Sequence, residues 1–467
     1  MLQKPASDAE YYFHQGLQLH HGCAYEDAIL SFDRAIQLDP TWPEPWYHRG
    51  MALCESNHYA EAVASFDQAL DLKEDFPEAY NSRGIALFSL GSYEAAIASY
   101  DKAIKLRPEF HQSWFNRGNA LDKLGCYQVA IESYDRSLAL ESEYSKSWYN
   151  RGITLSKLDR LDEAIASYDK AIQFRPHYSN AWYNRANILH RQKRYAEAIE
   201  SYERVVSIKP DWYGAWYNLG NLLHKLGQHE DAINCYRHAT HVAPNFYGAW
   251  YNQGNALDAL GRYDEAIASY QRALQLKPGL REAWYNWGST LHKAGRYEDA
   301  IDRYEEAIKR DSKFGKAWSS RGSALRKLGL YAEAIASYDR AVQHQPTLYE
   351  AWYGRGICLG HLGRNEAAIA SYDRAVAEQP DFYPAWYSRG VSLGHLGDYA
   401  AAIASYDVAL QINPNFPEAI SRRNLALNQT SSPELAGDRD EACDHELDAL
   451  PDSADSPADL MVEPSNS

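Results

Sequence analysis

The sequence predicts an all-α solenoid of twelve stacked helix pairs, and three periodic observations carry that prediction. Tryptophan recurs every 34 residues, at Trp114, Trp148, Trp182, Trp216, Trp250, Trp284, Trp318, Trp352 and Trp386. Trp46 and Tyr80 extend the series backwards, Tyr12 opens it and Ile420 closes it. With that aromatic counted as position 4, full units begin at 9, 43, 77, 111, 145, 179, 213, 247, 281, 315, 349 and 383, and the last ends at Phe416. Position 8 is glycine in eleven of the twelve units, from Gly16 to Gly390, with Ala186 as the exception. Position 20 is alanine from Ala28 to Ala402, and position 24 is Phe32, Phe66, then tyrosine from Tyr100 to Tyr406. A fixed period of this length means stacked supersecondary units, not the roughly three independent domains that length alone suggests.

Each unit reads as two short helices. In the fifth, Trp148, Arg151, Gly152 and Leu155 fall on one helical face. Glycine inside a helix costs about 1 kcal/mol relative to alanine. Its recurrence therefore implies a crossing so close that a side chain would clash. Position 15 is usually glycine, as at Gly91 and Gly125, which suits the left-handed residue that ends a helix. The second helix carries Ala-Ile-x-x-Tyr, as in Ala164, Ile165 and Tyr168, and stops near a proline at position 32 such as Pro176. A single pair cannot bury both faces, but stacked pairs share one elongated core, each aromatic contributing on the order of 1.5–3 kcal/mol.

Outside the repeats, residues 1–8 form a short lead. Residues 417–430 suit a capping helix with Ile420 and Leu427 inward and Ser421, Arg422 and Asn428 outward. Residues 431–467 carry eleven carboxylates and one arginine with few aromatics, so this acidic tail is expected to be disordered. It reads either as a solubilising segment or as an internal competitor that folds back on the repeats through Leu447, Leu450 or Leu460.

Composition narrows the function. A formal charge of −16 opposes binding to nucleic-acid phosphates or to an anionic membrane surface. The six cysteines are scattered without paired spacing, which fits a reducing compartment. There is no apolar run behind a basic start and no stretch of eighteen apolar residues, so a cytoplasmic protein without membrane insertion is expected. The sequence lacks GxxxxGK[ST] and HExxH, and Gly354–Gly360 misses the dinucleotide fingerprint by one residue. His190, His224 and His292 share position 12, but a zinc ion needs ligands within about 2 Å while stacked helices lie roughly 8–10 Å apart. No metal, cofactor or enzymatic activity is expected.

The pattern of Trp, Gly, Leu, Ala, Tyr and Pro at positions 4, 8, 11, 20, 24 and 32 resembles the tetratricopeptide repeat over residues 9–416. Departures are local: Ala186 for glycine, His229 and Asn365 at position 17, and Glu74, Ser142 and Ser312 where proline is usual. The resemblance implies a right-handed superhelix, with first helices lining a concave groove and second helices outside. It also implies a scaffold or adaptor that grips peptides or partner proteins.

On the first helix, positions 2, 6, 9 and 13 lie opposite the buried stripe. Position 6 holds an asparagine row, Asn116, Asn150, Asn184, Asn218, Asn252 and Asn286, and position 9 a broken one, Asn119, Asn187, Asn221 and Asn255. Carboxamides offer donors and acceptors to an extended peptide backbone without reading its side chains. The row is similar to the asparagine ladder in the repeat arm of O-GlcNAc transferase. Position 13 supplies cations, Lys123, Lys157, Arg191, Lys225, Lys293 and Lys327, which either attract acidic peptides or complement the helix dipole. Tyr149, Tyr183 and Tyr217 at position 5, with asparagine at 6, depart from the family's two-carboxylate clamp. The expected partners are proteins or peptides; the alternative is a recognition subunit for an enzyme on a separate chain, such as a glycosyltransferase.

Overall fold

The computed structural model describes residues 8–431. The lead before Asp8 and the acidic segment after Ser431, including Leu447, Leu450 and Leu460, lie outside the described residues. Among the described residues every regular element is a helix, twenty-five in all. Repeat 4 is typical: first helix His111–Lys123, a three-residue turn, second helix Tyr127–Leu140. The turn is closed by Gly125 N–H on Asp122 O (3.1 Å) and Cys126 N–H on Leu121 O (2.9 Å). Its central residue is left-handed, φ +77° at Gly125, and the same conformation is imposed on Asp159 (φ 57°) and Lys193 (φ 60°) where glycine is missing.

The second helix ends where Pro176 and its equivalents withhold the next backbone donor. The proline carbonyl is then used: the Trp182 indole Nε1–H donates to Pro176 O at 2.9 Å, and the Trp352 indole to Pro346 O at 2.8 Å. The tryptophan that marks the period thus ties each first helix to the loop before it.

The chain divides into two compact units, Met1–Ala215 and Trp216–Ser467. Within each, helix pairs stack in chain order. In the first unit helix Pro77–Ser89 touches His111–Lys123, and in the second Gly315–Lys327 touches Tyr349–His361. Second helices of successive pairs make no comparable contact, so within each unit the first helices lie on the inner side.

The recurring glycine is explained by a ring. A Cβ on Gly152 would lie 2.7 Å from the Tyr168 ring, and one on Gly84 2.4 Å from Tyr100. The position-24 rings are buried (Tyr168 is 1% exposed) and lie flat on the first helix. Ala186, fully buried in the repeat of Tyr202, shows that one methyl is accommodated at this position.

A second, polar fastening joins successive pairs. Arg151 Nε donates to Asp135 of the preceding repeat at 2.7 Å while Nη1 donates to Ser167 of its own repeat at 2.8 Å. The same arginine–carboxylate link recurs at Arg49, Arg83, Arg117 and Arg185 in the first unit and at Arg321, Arg355, Arg389 and Arg423 in the second. Each is half-exposed and so worth about 1 kcal/mol or less. Repeats 7 to 9 replace this arginine by Leu219, Gln253 and Trp287. Trp287 instead stacks on Trp284 (5.5 Å, 14°) beneath Arg303 at 4.6 Å.

The capping helix Pro417–Ser431 is present, but its inward residues differ from the expectation. Ala419 and Ala426 are buried, whereas Ile420 and Leu427 are 43% and 37% exposed. In a full repeat positions 4 and 11 are covered by the repeat's own second helix; among the described residues none follows the cap, so only the side packed on repeat 12 is buried.

Gly152→Ala is expected to cost about 1–3 kcal/mol in urea unfolding, because its Cβ would lie 2.7 Å from the Tyr168 ring, and Gly152→Val more than Gly152→Ala. Lys193→Gly, which relieves a left-handed non-glycine residue, should stabilise by about 1 kcal/mol in the same assay.

Candidate functional site

The candidate site is the inner face of the first helices, and the structure changes how its asparagines are understood. Position 6 of one repeat lies beside positions 5 and 9 of the preceding one. In the first unit Asn150 Nδ2 donates to Asn119 Oδ1 at 2.7 Å, and the same oxygen accepts the Tyr134 hydroxyl at 3.0 Å. Asn116 Nδ2 donates to Asn81 Oδ1 (3.1 Å), Asn184 Nδ2 to the Tyr149 hydroxyl (3.2 Å), and Asn187 Oδ1 accepts from Tyr202 (2.6 Å). In the second unit Asn252 bonds Asn221 (2.8 Å) and Asn286 bonds Asn255 (2.9 Å), with Tyr236 and Tyr270 donating to those acceptors at 2.9 Å each. Tyr217 and Tyr251 accept from the same two amides.

The expectation of an exposed amide strip is therefore corrected. Asn252 is 1% exposed, and Asn116, Asn150, Asn184, Asn218 and Asn286 are half-buried. Part of their donor capacity is spent between repeats, because stacking first helices edge to edge places each amide against its neighbour. Tyrosine at position 24 with asparagine at position 9 was the sequence signal for this relay.

Part of the basic row is likewise engaged between repeats. Lys157 Nζ pairs with Asp122 at 2.6 Å and Lys293 Nζ with Asp258 at 2.7 Å. Those carboxylates also accept from Thr154 (2.8 Å) and Thr290 (2.7 Å). Arg191 pairs with Asp159 at 3.1 Å, while Lys123 and Lys225 are exposed. The row is a set of links between repeats as much as a strip of available charge. Aspartate at position 12 preceding threonine at position 10 of the next repeat was the legible clue.

Sequence reading also passed over position 34, whose side chain meets position 5. Tyr149 packs on Tyr178 (4.7 Å) and Tyr183 stacks on Trp212 (4.5 Å, 29°). In the second unit Tyr217 meets Phe246 (4.9 Å) and Tyr353 meets Phe382 (5.0 Å). These aromatic rungs run between the amides. In the first unit an open concavity of about 680 Å³ lies among Glu44, Tyr47, His48, Phe76, Glu78 and Arg107. Its bases are partnered, Lys73 with Glu44 (3.5 Å) and Arg107 with Glu78 (2.5 Å), and Asp75 and Glu109 add further carboxylates. Burial, with His20 nearby, lowers the His48 imidazole to about 4.

Among the described residues no three His, Cys, Asp or Glu side chains come together to hold a metal, and no helix is long and apolar enough to cross a membrane. His224 and His229 approach each other at Nδ1–Nδ1 2.9 Å.

Family models described as tetratricopeptide repeat match residues 47–109, 217–280, 285–349 and 361–417, more than half the chain with one model. Others of the same description match 111–144, 145–178, 177–245 and 325–388. No curated protein matches. Similar solved structures include yeast Tom70 (17% identity, 92% of this chain and 98% of that one, TM-score 0.38). The APC/C hetero-tetramer Cut9-Hcn1 matches at 14% identity over 90% and 97%, TM-score 0.42. YrrB, described as a TPR protein with an unusual peptide-binding site, matches at 24% identity over 40% and 97%, TM-score 0.36.

Asn119→Ala should destabilise by about 1–2 kcal/mol, since it strands both the Tyr134 hydroxyl and the Asn150 amide, and a double-mutant cycle with Asn150→Ala should show strong coupling. His48, neutral when folded, takes up a proton only when unfolded between pH 6.5 and about 4. Stability should therefore fall as pH drops through that window, by up to about 3 kcal/mol, and a His48→Asn variant should lose this component in pH-dependent unfolding.

Proposed function

Because the chain belongs to the tetratricopeptide repeat family, we propose that it is an interaction scaffold whose first-helix face binds an extended segment of a partner protein. Tetratricopeptide repeats generally mediate protein–protein or peptide contacts. The observation that carries the reading is the alternation, in repeats 5 and 6, of half-exposed aromatic rungs with half-exposed amides: Tyr149, Tyr178, Tyr183 and Trp212 beside Asn150 and Asn184. Rings held against one another offer flat apolar area with little further entropy to lose. Each amide keeps acceptor capacity for a peptide backbone. Such a floor grips an extended chain and is undemanding about its sequence.

Charge adds a preference. Glu44, Asp75, Glu78 and Glu109 around the concavity favour a segment carrying lysine or arginine at that end. The chain acts by binding, and the partner enters the first unit. The alternative, a recognition subunit for an enzyme on a separate chain, would use the same inner face.

Peptides selected on the full-length protein from a random displayed library should bind wild type and lose about tenfold in affinity, roughly 1.4 kcal/mol, to an Asn150→Ala, Asn184→Ala variant that circular dichroism shows to be folded. Equal affinity for a folded variant would place recognition elsewhere.

A further inference from the structure

Two cations in repeat 5 stand where other repeats of the first unit hold an ion pair. In repeat 2, Lys73 at position 31 pairs with Glu44 at position 2 at 3.5 Å, and in repeat 3 Arg107 pairs with Glu78 at 2.5 Å. Repeat 5 keeps the cation, Arg175, but its position 2 is Lys146. Repeat 6 has Lys209 at position 31 and Asn180 at position 2. Lys146, Arg175 and Lys209 are exposed. Among the described residues none of the three makes an ion pair, not even with Glu143 or Asp211 close by in the chain.

Lys146 is also poorly placed for the fold alone. It is the second residue of helix Ser145–Lys157, and a cation in the first turn opposes the helix dipole that Glu44 and Glu78 complement. Positions 31 and 2 lie within reach of one another, so in repeat 5 like charges meet where unlike charges otherwise pair. An anion between them relieves both penalties. The pair borders the aromatic floor: Arg175 lies over the Tyr178 ring at 4.8 Å, and Tyr178 packs on Tyr149 at 4.7 Å. Lys209 lies over Trp212 at 5.8 Å in the same manner, and Trp212 stacks on Tyr183.

We propose that Lys146 and Arg175 form a carboxylate site for an aspartate or glutamate of the bound segment, which is therefore dipolar. Its lysine or arginine lies in the concavity at Glu44 and Glu78, and its acidic residue on repeat 5. The incoming carboxylate takes the place that Glu44 and Glu78 hold in their own repeats. This assignment rests on the scaffold reading above and names the chemistry of the partner. Two to three stacked first helices separate the two sites, roughly 16–30 Å at about 8–10 Å each. An extended chain covers that distance in about five to nine residues. The protein as a whole carries −16, so an acidic segment is held only where cations gather locally.

Fluorescence polarisation on the full-length protein tests this with labelled peptides of one length. One is a neutral Ser/Thr/Tyr segment; two carry Lys-Lys and Glu-Glu about seven residues apart, in either order; another carries the four charges adjacent. In one of its orders the separated peptide should bind at least about tenfold tighter than the adjacent one. A Lys146→Glu, Arg175→Glu variant, shown folded by circular dichroism, should bind it about tenfold more weakly. That variant should instead prefer a peptide with lysines at both places, and high salt should shrink both effects. Equal affinity of wild type and variant for the separated peptide overturns the proposal, as does equal affinity for separated and adjacent charges. If the neutral segment binds wild type as tightly as the dipolar one, the scaffold reading stands and the dipolar partner falls. If no peptide binds, both fall.

Discussion

The seat of the position-24 ring on the position-8 glycine is the constraint from which the rest of this structure follows. A Cβ added to Gly152 would lie 2.7 Å from the Tyr168 ring, so the two helices are held at a separation that almost any larger side chain would widen. That separation fixes where the pair's remaining faces point. It carries tryptophan to the preceding proline carbonyl, arginine to the preceding aspartate and asparagine to the preceding asparagine. Without it the polar links, each weak and partly solvated, would not fall into register.

Because each repeat touches little beyond its neighbours, stability is close to a sum of local terms. The chain can then vary one junction without endangering the others. It does so in repeats 7 to 9, where Leu219, Gln253 and Trp287 replace the fastening arginine. Trp287, stacked on Trp284 under Arg303, substitutes apolar and cation–π contact for an ion pair. Departures of this kind, and not the consensus, are where one such protein differs from another.

On the proposed reading, the inner face serves cohesion and recognition with the same atoms. Asn119 Oδ1 holds two donors, and Asp122 and Asp258 each hold a lysine and a threonine. What remains for a ligand is the leftover valence of these groups and the faces of the aromatic rungs. Under that reading such a surface favours extended chains over compact ones, and carboxylates line the concavity at Tyr47.

The sequence by itself determined the fold class, the period, the helix pairs, the glycine turns and the identity of the buried aromatics. All of these depend on residue type at fixed spacing within one repeat, where 34-residue recurrence repeats the same message twelve times. Tertiary structure decided what a single period does not state: which side chains meet across the junction. Asn150 read alone is an exposed amide; beside Asn119 it is half a hydrogen bond. Lys157 read alone is a free cation; beside Asp122 it is an ion pair. Ile420 and Leu427 fit the repeat pattern, yet they stay exposed because no described helix follows to cover them. Periodicity encodes each helix's faces, but only stacking brings residues some 31 to 35 positions apart within hydrogen-bonding distance, and that decided how the candidate site is built.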